Sequence, residues 1–223
     1  MPLDVSPPSV QPPSVWHGQA ALSASILVAC LLGIYSRPLG FMAAFWPANA
    51  ILLGLLLRHP ELARRPGSWL YALLAYVAAD LLTGSTLFTA LTLNLANLIG
   101  VLVGWLFLAR VRNQVLGFKH QRSVMTVFLA CLLASVVCTL AGAWPSAIAF
   151  HLPLWQSALL WLSAEFYNYV LILPVFLAAP SGWPWTWQLP KQQRSWNDAL
   201  PLLALILSEA FSQLIGGHGA MAF

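Results

Sequence analysis

Charged residues in this chain are confined to short intervals between long apolar runs, and that spacing limits what it can fold into. Leu87–Ala109 and Val124–Trp144 contain no charged residue. At about 1.5 Å of rise per helical residue, runs of this length cross a hydrocarbon core about 30 Å thick. They are unbroken rather than alternating, which argues for helices over a β-barrel. Charged residues make up 7% of the 223 positions and the mean hydropathy is +0.77, whereas a soluble domain carries roughly 25% charge. The sequence therefore predicts an all-α, polytopic integral membrane bundle. The net charge of +4 is no nucleic-acid signal, because the basic residues sit in the loops between apolar runs and act there as topology determinants.

The stretch from Phe45 to Arg58 shows the design in miniature. An aromatic pair, Phe45-Trp46, suits a membrane interface, and Arg58 suits the cytoplasmic surface. Pro47 is tolerated in a first helical turn, where its missing N–H has no partner to lose. Asn49 sits inside apolar sequence and needs a hydrogen-bonding partner from a neighbouring helix or a trapped water. Along the chain, residues 1–15 hold five prolines and read as a disordered tail with no basic region of a signal peptide. Residues 16–223 read as one membrane-embedded domain.

Seven helices are expected there, over Trp16–Tyr35, Phe41–Leu57, Trp69–Leu82, Leu87–Ala109, Val124–Trp144, Trp155–Ala179 and Ala199–Ile215. Pro145 is expected to end the fifth and Pro174 to kink the sixth. Gly219–Phe223 reads as the start of an eighth. The loops after the second, fourth and sixth helices are basic, and the others hold one arginine, Arg37, which places the N-terminus and the basic loops in the cytoplasm. Trp183, Trp185, Trp187 and Trp196 read as an interfacial belt. Cys30, Cys131 and Cys138 lie inside apolar runs and read as small packed hydrophobes, with neither disulfide nor metal-ligand spacing. No metal, cofactor or catalytic constellation is expected.

Polar groups inside the apolar helices are the candidate site. Asn49, Asp80, Asn94, Asn97, Glu165, Asn168, Glu209 and Gln213 come from five predicted helices, and Trp46 and Trp161 are the aromatic members of the set. Asn94 and Asn97, Glu165 and Asn168, and Glu209 and Gln213 are spaced to share helix faces. The amides have a plain structural use in bonding neighbouring helices. Buried acids are expensive in a bilayer and mark functional sites more often. Together the groups suggest a polar pocket reached from the periplasmic side. His151, in an outer loop, is a histidine that either titrates in response to pH or has no special role. Gly100 and Gly104 form a Gly-x-x-x-Gly stripe for a close helix contact, within or between protomers.

Trp46-Pro47-Ala48-Asn49 with its apolar helix and Arg58, Asn97, and Gly216-Gly217-x-Gly219-x-x-x-Phe223 together resemble the first-described family of bacterial membrane-associated sensor (MASE-type) domains, over roughly residues 20–223. The resemblance implies about eight helices in the bacterial inner membrane, N-terminal to a cytoplasmic output domain. That domain is commonly a diguanylate cyclase, at times with a phosphodiesterase or PAS modules, or a histidine kinase. Its partners would be the lipid bilayer, a small-molecule or membrane-protein cue, and a second copy, since condensing two nucleotides needs two cyclase domains face to face. The cyclase run Gly-Gly-Asp/Glu-Glu-Phe is missing, and Gly216-Gly217-His218 is no substitute. The expectation is a longer protein whose enzymatic activity lies elsewhere. The competing reading is a small-molecule-binding membrane subunit of a transporter, whose few-charge bundle would look the same.

Overall fold

The computed structural model describes residues 15–36, 45–117 and 121–179. They form eight helices and, among the described residues, no strand: α1 Val15–Ser36, α2 Ala48–Arg58, α3 Pro60–Ala63, α4 Pro66–Leu82, α5 Leu87–Ala109, α6 Arg112–Val115, α7 Gln121–Phe150 and α8 Leu154–Ala178. The chain divides into two units, Met1–Pro180 and Ser181–Phe223. The second, with the expected seventh helix, the tryptophan belt, Glu209 and Gln213, lies outside the described residues, as does the N-terminal tail.

Proline marks four of the eight described helix starts. Pro60 and Pro66 occupy the first positions of α3 and α4, and Pro47 and Pro153 immediately precede α2 and α8. There the absent N–H is one that no helical carbonyl would have satisfied. Helix α5 starts differently, with the Thr86 hydroxyl accepting from the Thr89 N–H at 3.2 Å, which satisfies one of the orphan donors of the first turn.

Four described helices are long and apolar enough to cross a membrane: His17–Ser36, Leu87–Ala109, Gln121–Phe150 and Leu154–Ala178. Six of the seven expected helices fall wholly or partly within the described residues; four of them are of spanning length and two, α2 and α4, are shorter. The second expected span begins at Ala48 instead of Phe41 and has 11 residues, because the chain enters the helix at Pro47. The third, α4, has 17. Pro145 does not end α7, which runs on to Phe150. The Ser157 hydroxyl donates to the Ala143 carbonyl at 3.0 Å and shares a 2.8 Å hydrogen bond with Ser146 Oγ. These bonds tie α8 to the turn of α7 that holds Pro145, while the carbonyl that loses its helical donor to the proline is that of Ala141.

Nine of the eleven α2 residues are buried, and α2 packs on α1, α5 and α8. At about 1.5 Å per residue it is about 16 Å long, half the thickness of a bilayer core. The Gly100 and Gly104 stripe is used inside the protomer. A Cβ on Gly100 would stand 2.7 Å from Cys138 Cβ, and one on Gly104 would stand 3.0 Å from a Leu53 methyl. Helices α5, α7 and α2 can approach this closely only because no side chain intervenes.

Beyond α7, His151 adopts φ 55°, a left-handed conformation that disfavours side chains. His151→Gly is expected to raise stability by roughly 0.5–1 kcal/mol, which thermal unfolding in detergent would register as a small upward shift.

Candidate functional site

The polar residues singled out from sequence converge into one hydrogen-bonded chain through the middle of the bundle. Its centre is Asn49, in the first turn of α2. The Asn49 amide nitrogen donates to both carboxyl oxygens of Glu165 at 2.8 Å and to Asn97 Oδ1 at 3.0 Å, while Asn49 Oδ1 accepts from the Tyr76 hydroxyl at 2.6 Å. From Asn97 the chain continues through the donation of its amide to Asn94 Oδ1 at 3.1 Å. The Asn94 amide then donates to Asp80 Oδ2 at 2.6 Å and to the Ala90 carbonyl at 2.8 Å. Asp80 Oδ1 accepts a long 3.5 Å contact from Ser85.

The amide donors along this path lead toward carboxyl groups, Glu165 at one end and Asp80 at the other. Asn49, Asp80, Asn94, Asn97 and Glu165 are all buried, as is Tyr76. Groups this deep need partners, and here they supply one another. The position of Asn49 has a further electrostatic effect. The first turn of a helix carries the positive end of its dipole and unsatisfied N–H groups, so the start of α2 favours the Glu165 carboxyl group beside it.

A side branch reaches α7. The Trp161 indole N–H donates to Cys138 Sγ at 3.1 Å, and Cys138 Sγ lies 3.7 Å from Asn97 Oδ1. Cys138 is buried as expected, but packing alone is an incomplete description, since its sulfur joins Trp161 to the amide chain. The site thus draws on α2, α4, α5, α7 and α8.

The remaining predicted residues sit around this chain. Asn168 is buried one turn along α8, and its amide donates to the Ala164 carbonyl of its own helix at 2.7 Å. Trp46 is half-buried with its ring against Gly33 of α1. Asp80 lies two residues from the end of α4, so the amide chain runs from the α4–α5 turn to the interior. Sequence reasoning misses Tyr76, although it stands one turn before Asp80 on the same helix face. Tyr169, fully buried one turn after Glu165, has a hydroxyl without a hydrogen-bond partner among the described residues. No group of three or more His, Cys, Asp or Glu able to hold a metal ion occurs among the described residues.

At the other end of α2 the contacts are with backbone. The Arg58 guanidinium donates to the Phe176 carbonyl at 2.9 Å and the Ala179 carbonyl at 2.6 Å, and the Gly117 N–H donates to the Leu177 carbonyl at 2.8 Å. Arg112 in turn donates to the carbonyls of Leu57 and Arg58. The last carbonyls of α8 and α2, which have no partner within their own helices, are thereby capped largely by cationic side chains.

An apolar helical bundle with a self-satisfied polar chain through its interior is the class of protein these features define. The chain is 28% identical over 208 residues to a probable diguanylate cyclase, DgcF, of Escherichia coli O157:H7, an alignment covering 91% of this chain and 42% of that protein. The chain thus spans less than half the length of this curated relative. No protein-family model matches the chain, and no solved structure matches it.

Proposed function

We propose that this chain is a sensory domain of the bacterial inner membrane, of the MASE type, that responds to a periplasmic or intramembrane cue. In this reading it regulates a cytoplasmic output domain of a longer protein, most simply a diguanylate cyclase. The similarity to a probable diguanylate cyclase supports the signalling reading over a transporter subunit. Four helices of spanning length support the membrane setting, and the basic loops support a cytoplasmic N-terminus.

The observation that carries the proposal is the pair of contacts tying α2 to α8. Glu165 holds the first turn of α2 through Asn49, and Arg58 in its last turn holds the final carbonyls of α8. A cue changes output only if it favours one helix arrangement over another. A polar chain drawing on five helices is a place where a bound polar molecule, or a proton, would make that difference.

Glu165→Gln in the longer protein is the test. It retains one acceptor for the Asn49 amide and removes the second oxygen and the titratable group. Cellular cyclic diguanylate, measured at matched membrane expression, is expected to change by about fivefold or more, the size that a coupling of about 1 kcal/mol or more produces. Output equal to the parent under every stimulus tried would make Glu165 a purely structural residue.

A further inference from the structure

On the outside of the bundle, where the loop after α2 meets α5, a groove of about 420 Å³ runs between Pro66 and Trp69 on one side and Leu95, Ile99 and Leu102 on the other, with Arg64 in its wall. Leu95, Ile99 and Leu102 form one stripe of α5 and are exposed. The stripe is about 10 Å long at the helical rise. The register of the groove follows from Trp69 and Trp105, whose rings meet edge to face at 5.8 Å. Leu102 therefore lies near the Arg64 end and Leu95 deeper along the helix.

The Trp69 indole N–H is taken up by the carbonyl of Ala63, another residue of the groove, at 2.8 Å, which leaves the ring as a hydrocarbon wall. Arg64 and the adjacent Arg65 are exposed, and neither takes part in an ion pair among the described residues. The acid of the same loop, Glu61, is engaged by His59 at 3.1 Å. The groove is therefore apolar along its length and cationic at one end. An occupant that matches it has a hydrocarbon tail and an anionic head.

We propose that this groove binds an anionic phospholipid, with one acyl chain along Leu95, Ile99 and Leu102 and its phosphate at Arg64 and Arg65. The inference rests on the membrane reading above. On that reading the Arg64 end faces the cytoplasmic leaflet, where anionic lipids are enriched and basic pockets between helices take their headgroups.

The test uses the full chain purified in a neutral detergent and titrated with dioleoyl-phosphatidylglycerol or dioleoyl-phosphatidylcholine, with bound lipid read by native mass spectrometry. Phosphatidylglycerol is expected to bind about tenfold or more tightly than phosphatidylcholine, as two arginines beside an anionic phosphate give. The R64Q/R65Q double variant is expected to lose most of that preference. Ile99→Trp, which fills the groove from an exposed position, is expected to weaken phosphatidylglycerol binding while leaving the unfolding temperature unchanged. Equal binding of the two lipids by the parent, or a preference that survives R64Q/R65Q, overturns the proposal. Extraction of the expressed chain from cell membranes by alkaline carbonate would overturn the membrane reading and this inference with it. A chain that resists extraction yet shows no preference overturns the lipid site alone.

Discussion

Asn49→Leu is expected to destabilise the bundle by about 3 kcal/mol or more, because one amide serves three buried partners. The substitution removes the donor to both Glu165 oxygens, the donor to Asn97, and the acceptor of the Tyr76 hydroxyl. Stripping a partner from a buried polar group costs about 1–3 kcal/mol in water-soluble proteins, and interhelical bonds within bilayers average about 0.6 kcal/mol. Three groups stripped at once exceed either single figure, and a carboxyl group is the most expensive of them to leave unsolvated. The unfolding midpoint in detergent is expected to fall by about 6–12 °C. Asn49→Asp separates hydrogen bonding from charge, since it retains the acceptor for Tyr76 but sets a second carboxyl group against Glu165. A midpoint for Asn49→Leu within a degree or two of the parent would mean that the polar chain contributes nothing to holding the helices together.

Gly54→Leu is expected to separate α2 from α8 and so disturb both of their polar contacts. A Cβ at Gly54 would lie 2.6 Å from Cβ and Cγ of Phe176. Phe176 Cβ is fixed to the α8 backbone, so a change of rotamer does not relieve the clash and the helices must move. Overpacking of this kind costs about 1–3 kcal/mol. The displacement also reaches Asn49 and Glu165, about 7 Å along α2 from Gly54, and the Phe176 carbonyl held by Arg58. The expected result is a lowered unfolding midpoint together with altered output of the longer protein, the second being what a local packing defect alone would not give. Unchanged output at lowered stability would detach the α2–α8 contact from signalling.

Much of this architecture is legible in the residues, and the exceptions have identifiable causes. Helix α5 spans Leu87–Ala109 as its pattern predicts, because Thr86 caps it and neither a proline nor a charged residue interrupts it. Hydropathy makes helix α2 too long, since Phe41–Phe45 is as apolar as the residues after Pro47 and an apolar run does not register where a helix begins. Pro47 is the residue that marks the start. At Pro145 the local rule favours a stop, yet the helix runs on to Phe150, and the contacts of this turn with Ser157 of α8 have no local signature. The same limit applies to the site. Each amide and acid is visible as a polar interruption, but nothing in the spacing says that α2 lies between α5 and α8. Tyr76 and Cys138 pass as ordinary packing residues because a tyrosine or a cysteine in an apolar run looks satisfied until its neighbours are known.

The arginine caps at the ends of α2 and α8 have one more consequence. The acceptors described for Arg58 and Arg112 are neutral peptide carbonyls, so these bonds close the helix ends without cancelling the charge. On the proposed membrane reading, the two arginines that fasten these helix ends are also among the basic residues that bias which loops stay in the cytoplasm. On that reading the folded state and the direction of insertion draw on the same two side chains, and a chain inserted the wrong way round would have to carry its own fasteners across the bilayer.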